Sequence, residues 1–148
     1  MKTFFILISV WSYILASVNL NAAEPTTILS NLNQLEWAHR IIIIHEKENS
    51  TTQTLKIIKT QKIELDDRDI IWFVLSANKN QLTSNFDGQL DNSLKQQLSS
   101  ITNNPNYQVI LIGKDGGIKS LDKNLDLQNI FAQIDAMPMR INEMQTKQ

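Results

Sequence analysis

The residues best suited to chemistry are His45, Glu46 and Glu48, which follow the run Arg40-Ile41-Ile42-Ile43-Ile44. An imidazole and two carboxylates on one short segment could hold a metal weakly or divide acid and base roles between them. The end of a strand in an α/β sheet is also where ligands commonly sit. The bland alternative is a solvated charged loop after a buried strand. His39 is the only other histidine, and at strand rise it lies roughly 20 Å from His45, so the two cannot share one ion. No metal site and no cofactor are expected.

Two further segments carry candidate groups. Gly113-Lys114-Asp115-Gly116-Gly117 resembles a phosphate-binding loop only superficially. It lacks the G-x-x-x-x-G-K-[ST] spacing and leads into a strand, so a hairpin turn is expected. Asp135-Ala136-Met137-Pro138-Met139-Arg140 reads either as a packed helix end with Arg140 paired to an acidic neighbour, or as a partner-binding edge made adaptable by two methionines. Asp66, Asp67 and Asp69 lack the Gly and the distant Glu of an EF-hand and read as a turn. Asn49-Ser50-Thr51 fits a glycosylation acceptor, relevant only in a eukaryotic host. No G-x-S-x-G, H-E-x-x-H or G-x-G-x-x-G pattern occurs.

The elements that must position these groups follow from apolar periodicity. Ile28 to Trp37 is loosely amphipathic and predicts a short helix or turn. Arg40 to His45 and Ile70 to Leu75 are unbroken apolar runs, expected to be parallel strands buried on both faces. Between them a helix capped by Ser50 or Thr51 runs to about Leu65, with Leu55 and Ile58 toward the sheet, completing a right-handed βαβ unit. Asn78 to Gln89 reads as a loop with an irregular strand. Leu90, Leu94, Leu98 and Ile101 mark one face of a second helix. Tyr107–Ile112 and Ile118–Leu121 form a hairpin. Asp126 caps a last helix carrying Leu127, Ile130, Phe131 and Ile134, which Pro138 bounds, and Gln145–Gln148 is a frayed tail.

The N-terminus fixes the expected compartment. Met1-Lys2, the uncharged apolar run Phe4–Leu15 and the small residues Ala16–Ala23 have the layout of a signal peptide over residues 1–23, cut after Ala22 or Ala23. A retained anchor would need roughly twenty apolar residues, whereas Ser9, Ser12, Ser17 and Asn19 interrupt this stretch. Residues 24–148 are then one secreted or periplasmic domain with no stable membrane insertion. Without Lys2 it holds 13 basic and 15 acidic residues, a balance that argues against nucleic acid. The chain has no cysteine, which excludes thiol redox, thiolate-metal and cysteine-nucleophile chemistry. Abundant Asn, Gln, Ile and Lys beside three arginines suggest an AT-rich bacterial genome.

The element order β-α-β, helix, β-β-α matches the thioredoxin-like architecture: a central mixed sheet of about four strands with helices on both faces. Leu32–Arg40 in an L-x-x-L-x-W-x-x-R pattern, Ile110–Gly117 (ILIGKDGG) and Ile134–Arg140 (IDAMPMR) with Glu143-Met144 behind it sharpen the match. On these motifs the chain resembles a family of bacterial exported domains related to the DUDES domains of animal sushi-repeat and matrix proteins. The resemblance implies a thioredoxin-like or peroxiredoxin-like fold without an assigned activity and brings no catalytic residues. Where redox relatives of this fold have cysteines, this chain has His45–Thr51. The expected role is a non-redox binding or structural module whose partner is an envelope or extracellular protein. The alternative is a small-ligand binder or enzyme that combines the His45–Thr51 loop with Lys114 or Arg140.

Overall fold

A computed structural model describes residues 26–46, 50–76 and 81–146. The signal segment and Glu48 lie outside the described residues. Seven strands and five helices follow in the order β1 (Ile28–Leu29), β2 (Arg40–His45), α1 (Thr51–Thr60), α2 (Lys62–Asp67), β3 (Ile70–Leu75), β4 (Leu82–Ser84), β5 (Gln89–Leu90), α3 (Asn92–Ile101), β6 (Val109–Ile112), β7 (Ile118–Asp122), α4 (Leu127–Asp135) and α5 (Pro138–Thr146). A 3-10 turn at Leu32–Leu35 leads from β1 into β2.

The main sheet has five strands in the order β4-β3-β2-β6-β7. Strands β2 and β3 pair in parallel, with Arg40 opposite Ile70 and His45 opposite Leu75. Strand β6 runs antiparallel to β2, Ile41 facing Ile112, and β7 runs antiparallel to β6. That is the expected thioredoxin-like arrangement, with β4 added as a fifth strand. The four consecutive isoleucines of β2 are all buried because the sheet is covered on both sides. Ile42, Ile44, Trp72, Val74 and Leu111 face α1, α2 and α4 through Ile58, Leu65, Ile130, Phe131 and Ile134. Ile41, Ile43, Phe73, Leu75 and Ile110 face α3 and the N-terminal turn through Leu94, Leu98, Leu32 and Leu35.

Several expectations need correction. Ile28–Leu29 is a strand paired in parallel with β5, and Trp37 does not join the apolar face of the turn beside it: its side chain stands 68% exposed on a backbone with φ of 66°. The single helix expected from Ser50 to Leu65 is two, broken at Gln61, and the second continues through Asp66 and Asp67. The segment read as a loop with an irregular strand does supply one, β4, antiparallel to β3. Asn85 extends that edge by accepting from the Trp72 N–H (2.8 Å) and donating to the Ile70 carbonyl (3.0 Å). Pro138 does not end the chain's helical structure but begins α5, since a proline at the first helical position lacks only an N–H that would have had no partner there. Helix α5 continues through Gln145 to Thr146, inside the expected tail.

Candidate functional site

The candidate residues fall at opposite ends of the sheet. His45 and Glu46 close β2, whereas Lys114 follows the end of antiparallel β6 and so lies beside Arg40, where β2 begins. Five strand residues separate the two poles, roughly 16 Å. Arg140 contacts Asp67 and Asp135 and belongs to the Lys114 pole. The structure therefore does not bring Lys114 or Arg140 to His45, Glu46, Ser50 or Thr51, the described residues of that segment.

At the first pole His45 is half-buried and Glu46 is buried, 1% exposed. The expectation of a solvated loop fails at Glu46, whose backbone N–H donates to the Leu75 carbonyl (2.9 Å) and so draws the residue under β3. Its Oε2 accepts from the Ser50 hydroxyl, and its Oε1 has no hydrogen-bond partner among the described residues. Ser50 occupies the cap position of α1, but its hydroxyl serves Glu46 and not the first-turn N–H groups.

The second pole is a network of charge. Arg40, 1% exposed, donates two hydrogen bonds to the Glu143 carboxylate (3.1 and 3.2 Å) and a third to the Arg68 carbonyl (3.0 Å). Lys114 Nζ, also buried, lies 2.8 Å from both Asp69 and Glu143. Arg68 pairs with Glu64 (2.7 Å) and Asp135 (2.6 Å) and stacks 4.7 Å from the Phe131 ring centre. Arg140 pairs with Asp135 and Asp67 and reaches the Asp67 carbonyl (2.8 Å). All three arginines of the chain are spent here.

The titration tendencies follow from these contacts. Burial alone would raise the Glu143 carboxyl, but hydrogen bonds from Lys114 and Arg40 outweigh it and hold the group below its ordinary value. Asp135 behaves alike: burial is opposed and overcome by Arg68 and then Arg140. Burial would lower Arg68, yet pairing with Asp135 and Glu64 raises it further. Such a network fixes charged states and is poorly suited to exchanging protons.

Asp115 sits at the tip of the β6–β7 turn. Lys119 (2.7 Å) and then the Gly117 N–H (3.1 Å) hold its carboxyl below the ordinary range. Gly116 takes φ of 74°, the left-handed backbone that favours glycine, while the Glu36 carboxylate end that a Cβ would meet at 2.7 Å is flexible enough to swing aside. The loop is a hairpin turn, as its failure to match phosphate-loop spacing suggested. Trp37 is tied to the same turn by its N–H, 2.6 Å from the Lys114 carbonyl.

Beside Arg40 and Lys114 opens a cleft of about 500 Å³, lined also by Gly113, Asp115, Lys119 and Ala136–Met139. Among the described residues no group of three or more His, Asp or Glu side chains is arranged to hold a metal, and no helix is long and apolar enough to cross a membrane.

The family described as "Domain of unknown function (DUF4174)" matches residues 31–143, a span that contains all three motifs and ends on Glu143. The chain belongs to that family. No curated protein matches it. Among solved structures, this DUF4174 domain is similar to the mitochondrial 2-cys peroxiredoxin from Plasmodium falciparum at 13% identity and a TM-score of 0.46, over 71% of this chain and 79% of that one.

Sequence reasoning placed Arg140 beside an acidic neighbour, and Asp135 and Asp67 are there. It missed Arg40, Arg68 and Glu143 as partners. A signal was available: Arg40 opens a run of isoleucines and Arg68 lies among aspartates, and in so arginine-poor a chain each cation next to a buried element needs a counter-charge.

Proposed function

We propose that this DUF4174 domain is an exported, non-redox binding module of the cell envelope or secreted space. One observation carries the reading: every basic side chain contributed by the three motifs, Arg40, Lys114 and Arg140, is consumed in pairs inside the domain. The groups most suggestive of chemistry thus hold the fold together, and the chain has no thiol to supply the reaction its architecture suggests. A preformed cleft beside that rigid network supports recognition over catalysis. The apolar N-terminal run supports export.

Two measurements test this. Mass spectrometry of the chain recovered outside the cytoplasm should find an N-terminus just after Ala22 or Ala23; intact Met1 on a cytoplasmic chain would sink the export half. Purified residues 24–148 should show no turnover against a broad panel of hydrolase and transferase substrates.

A second reading has its own support, the Glu46 carboxylate buried at the carboxyl end of the central strand with one oxygen unpartnered among the described residues. There it would serve a small ligand or an acid-base step, without Lys114 or Arg140. Turnover abolished by Glu46→Gln in a folded protein would favour this reading over the module.

A further inference from the structure

The cleft beside the charge network has a chemistry that the pairing of its cations defines. Arg40 and Lys114 both line it, yet neither presents an uncompensated charge. Glu143 neutralises one and Asp69 the other, while Lys119 is held by Asp115. What remains is hydrogen-bonding capacity. A guanidinium carries five N–H groups, and Arg40 commits three bonds, two from Nη1 and one from Nη2, leaving Nε–H and the second Nη2–H. Lys114 commits two of its three, to Asp69 and Glu143. Among the described residues these donors have no protein acceptor, and the two cations border the cleft unequally: Lys114 is 9% exposed there, whereas Arg40, 1% exposed, stands behind it. Its opposite wall is apolar: Ala136, Met137, Pro138 and Met139, with Met139 39% exposed at the rim.

We infer that this cleft binds an extended, uncharged peptide segment of a partner protein, one of whose main-chain carbonyls accepts from Lys114, backed by Arg40, while an apolar side chain packs on Met137–Met139. The inference rests on reading the domain as a binding module and names the site and ligand class for it. Charge balance selects the ligand. A carboxylate or phosphate entering the cleft would meet Glu143, Asp69 and Asp115 with no free positive charge to offset them, and a cationic segment would meet Arg40 and Lys114. A peptide carbonyl supplies an acceptor with no net charge. Two methionines adapt to varied apolar side chains. A volume of about 500 Å³ lies within the range of small-ligand sites and holds a few residues of chain, not a folded surface. Trp37 stands exposed one hydrogen bond from Lys114, where a longer segment could pack against it.

The probe is N-acetyl-leucyl-leucine N-methylamide, titrated into residues 24–148 carrying amide 15N and methionine-methyl 13C labels. Shifts should concentrate at the Gly113–Asp115 amides and the Met137 and Met139 methyls. Met139→Glu, at a rim position that the fold leaves exposed, should weaken binding at least tenfold with an otherwise native spectrum. The same peptide with a free carboxylate should bind more weakly than the amide. Absence of shifts at Met137 and Met139 at millimolar probe overturns the inference, as does tighter binding of the carboxylate form. A natural partner that protects a different surface would leave the module reading intact and remove this one.

Discussion

Replacing Glu143 by Gln tests whether the network, and not the apolar contacts of α5, fastens that helix. The substitution keeps volume and helix propensity but removes a charge that accepts two hydrogen bonds from Arg40 and pairs with Lys114 at 2.8 Å. It also turns an amide donor toward one of two cations that have only donors to offer. Removing one partner of a fully buried pair costs about 3–5 kcal/mol. Glu143 retains 21% exposure and Lys114 keeps Asp69, so we expect about 2–3 kcal/mol after that discount. For a domain near this length 1 kcal/mol moves Tm by about 4 °C, which gives a fall of about 8–12 °C by calorimetry at pH 7. The pH dependence supplies a second readout. The folded-state carboxyl lies below its ordinary value of 4.5, so its stabilisation is complete above that pH and fades as pH falls through the folded value. The gap between native and Glu143→Gln chains must therefore narrow on acidification below about pH 4.5. A Tm change under about 2 °C at pH 7, or a gap that widens in acid, would refute the argument.

Arg40→Met combined with Glu143→Gln should cost less than the two singles together by at least about 1 kcal/mol in urea titrations, because the second change removes a charge already orphaned by the first; strict additivity would place Arg40's role elsewhere. Gly116→Ala should lose about 1–2 kcal/mol, since alanine at that positive φ is strained; an unchanged denaturation midpoint would contradict the turn geometry. Trp37→Asn should leave Tm unchanged or raise it slightly, because the exposed indole buries little and asparagine tolerates the left-handed backbone; a large loss of stability would mean that the ring is packed.

The fold was legible wherever burial is two-sided. The isoleucines of β2, the run Ile70–Leu75, helices α3 and α4 and the Asp115-Gly116 turn announce themselves through period, cap and turn chemistry; Asp126 accepts from the Asn129 N–H as expected, and Asp91 caps α3 in the same way by accepting from Ser93, a cap the spacing of apolar residues did not reveal. Strands β1 and β5 were not legible and β4 only as an irregular strand without bounds, because two or three residues define no period and their pairing depends on neighbours distant in sequence. Helix α5 escaped for another reason. Arg140 is its only buried residue, while Met139 and Ile141 stay 39% exposed, so it lacks the apolar stripe that marks a docked helix. Pro138 bounds α4 as expected and also starts α5.

The site was harder to read because spacing in sequence measures local geometry, whereas the network is assembled from six elements and their connections. Arg40 begins β2, Arg68 and Asp69 precede β3, Lys114 follows β6, Asp135 ends α4, Glu64 and Asp67 lie in α2, and Arg140 and Glu143 lie in α5. Each motif alone looks like a fragment of an active site, and only the pairing shows that the charges cancel. In a domain without cysteine a helix with so little apolar surface needs another fastener. Apolar contact would tolerate sliding by a residue, but a bidentate Arg40–Glu143 pair and the Arg140 cage fix one register, because a shift along α5 would strand buried charges. The polar character of the motifs is thus accounted for by the docking of α5. What lacks an internal partner among the described residues is narrower: His39 Nδ1, a carboxylate oxygen of Glu46, and the spare donors of Arg40 and Lys114. Of the two poles, as far as the described residues show, the second borders a cleft with an apolar wall to receive a ligand.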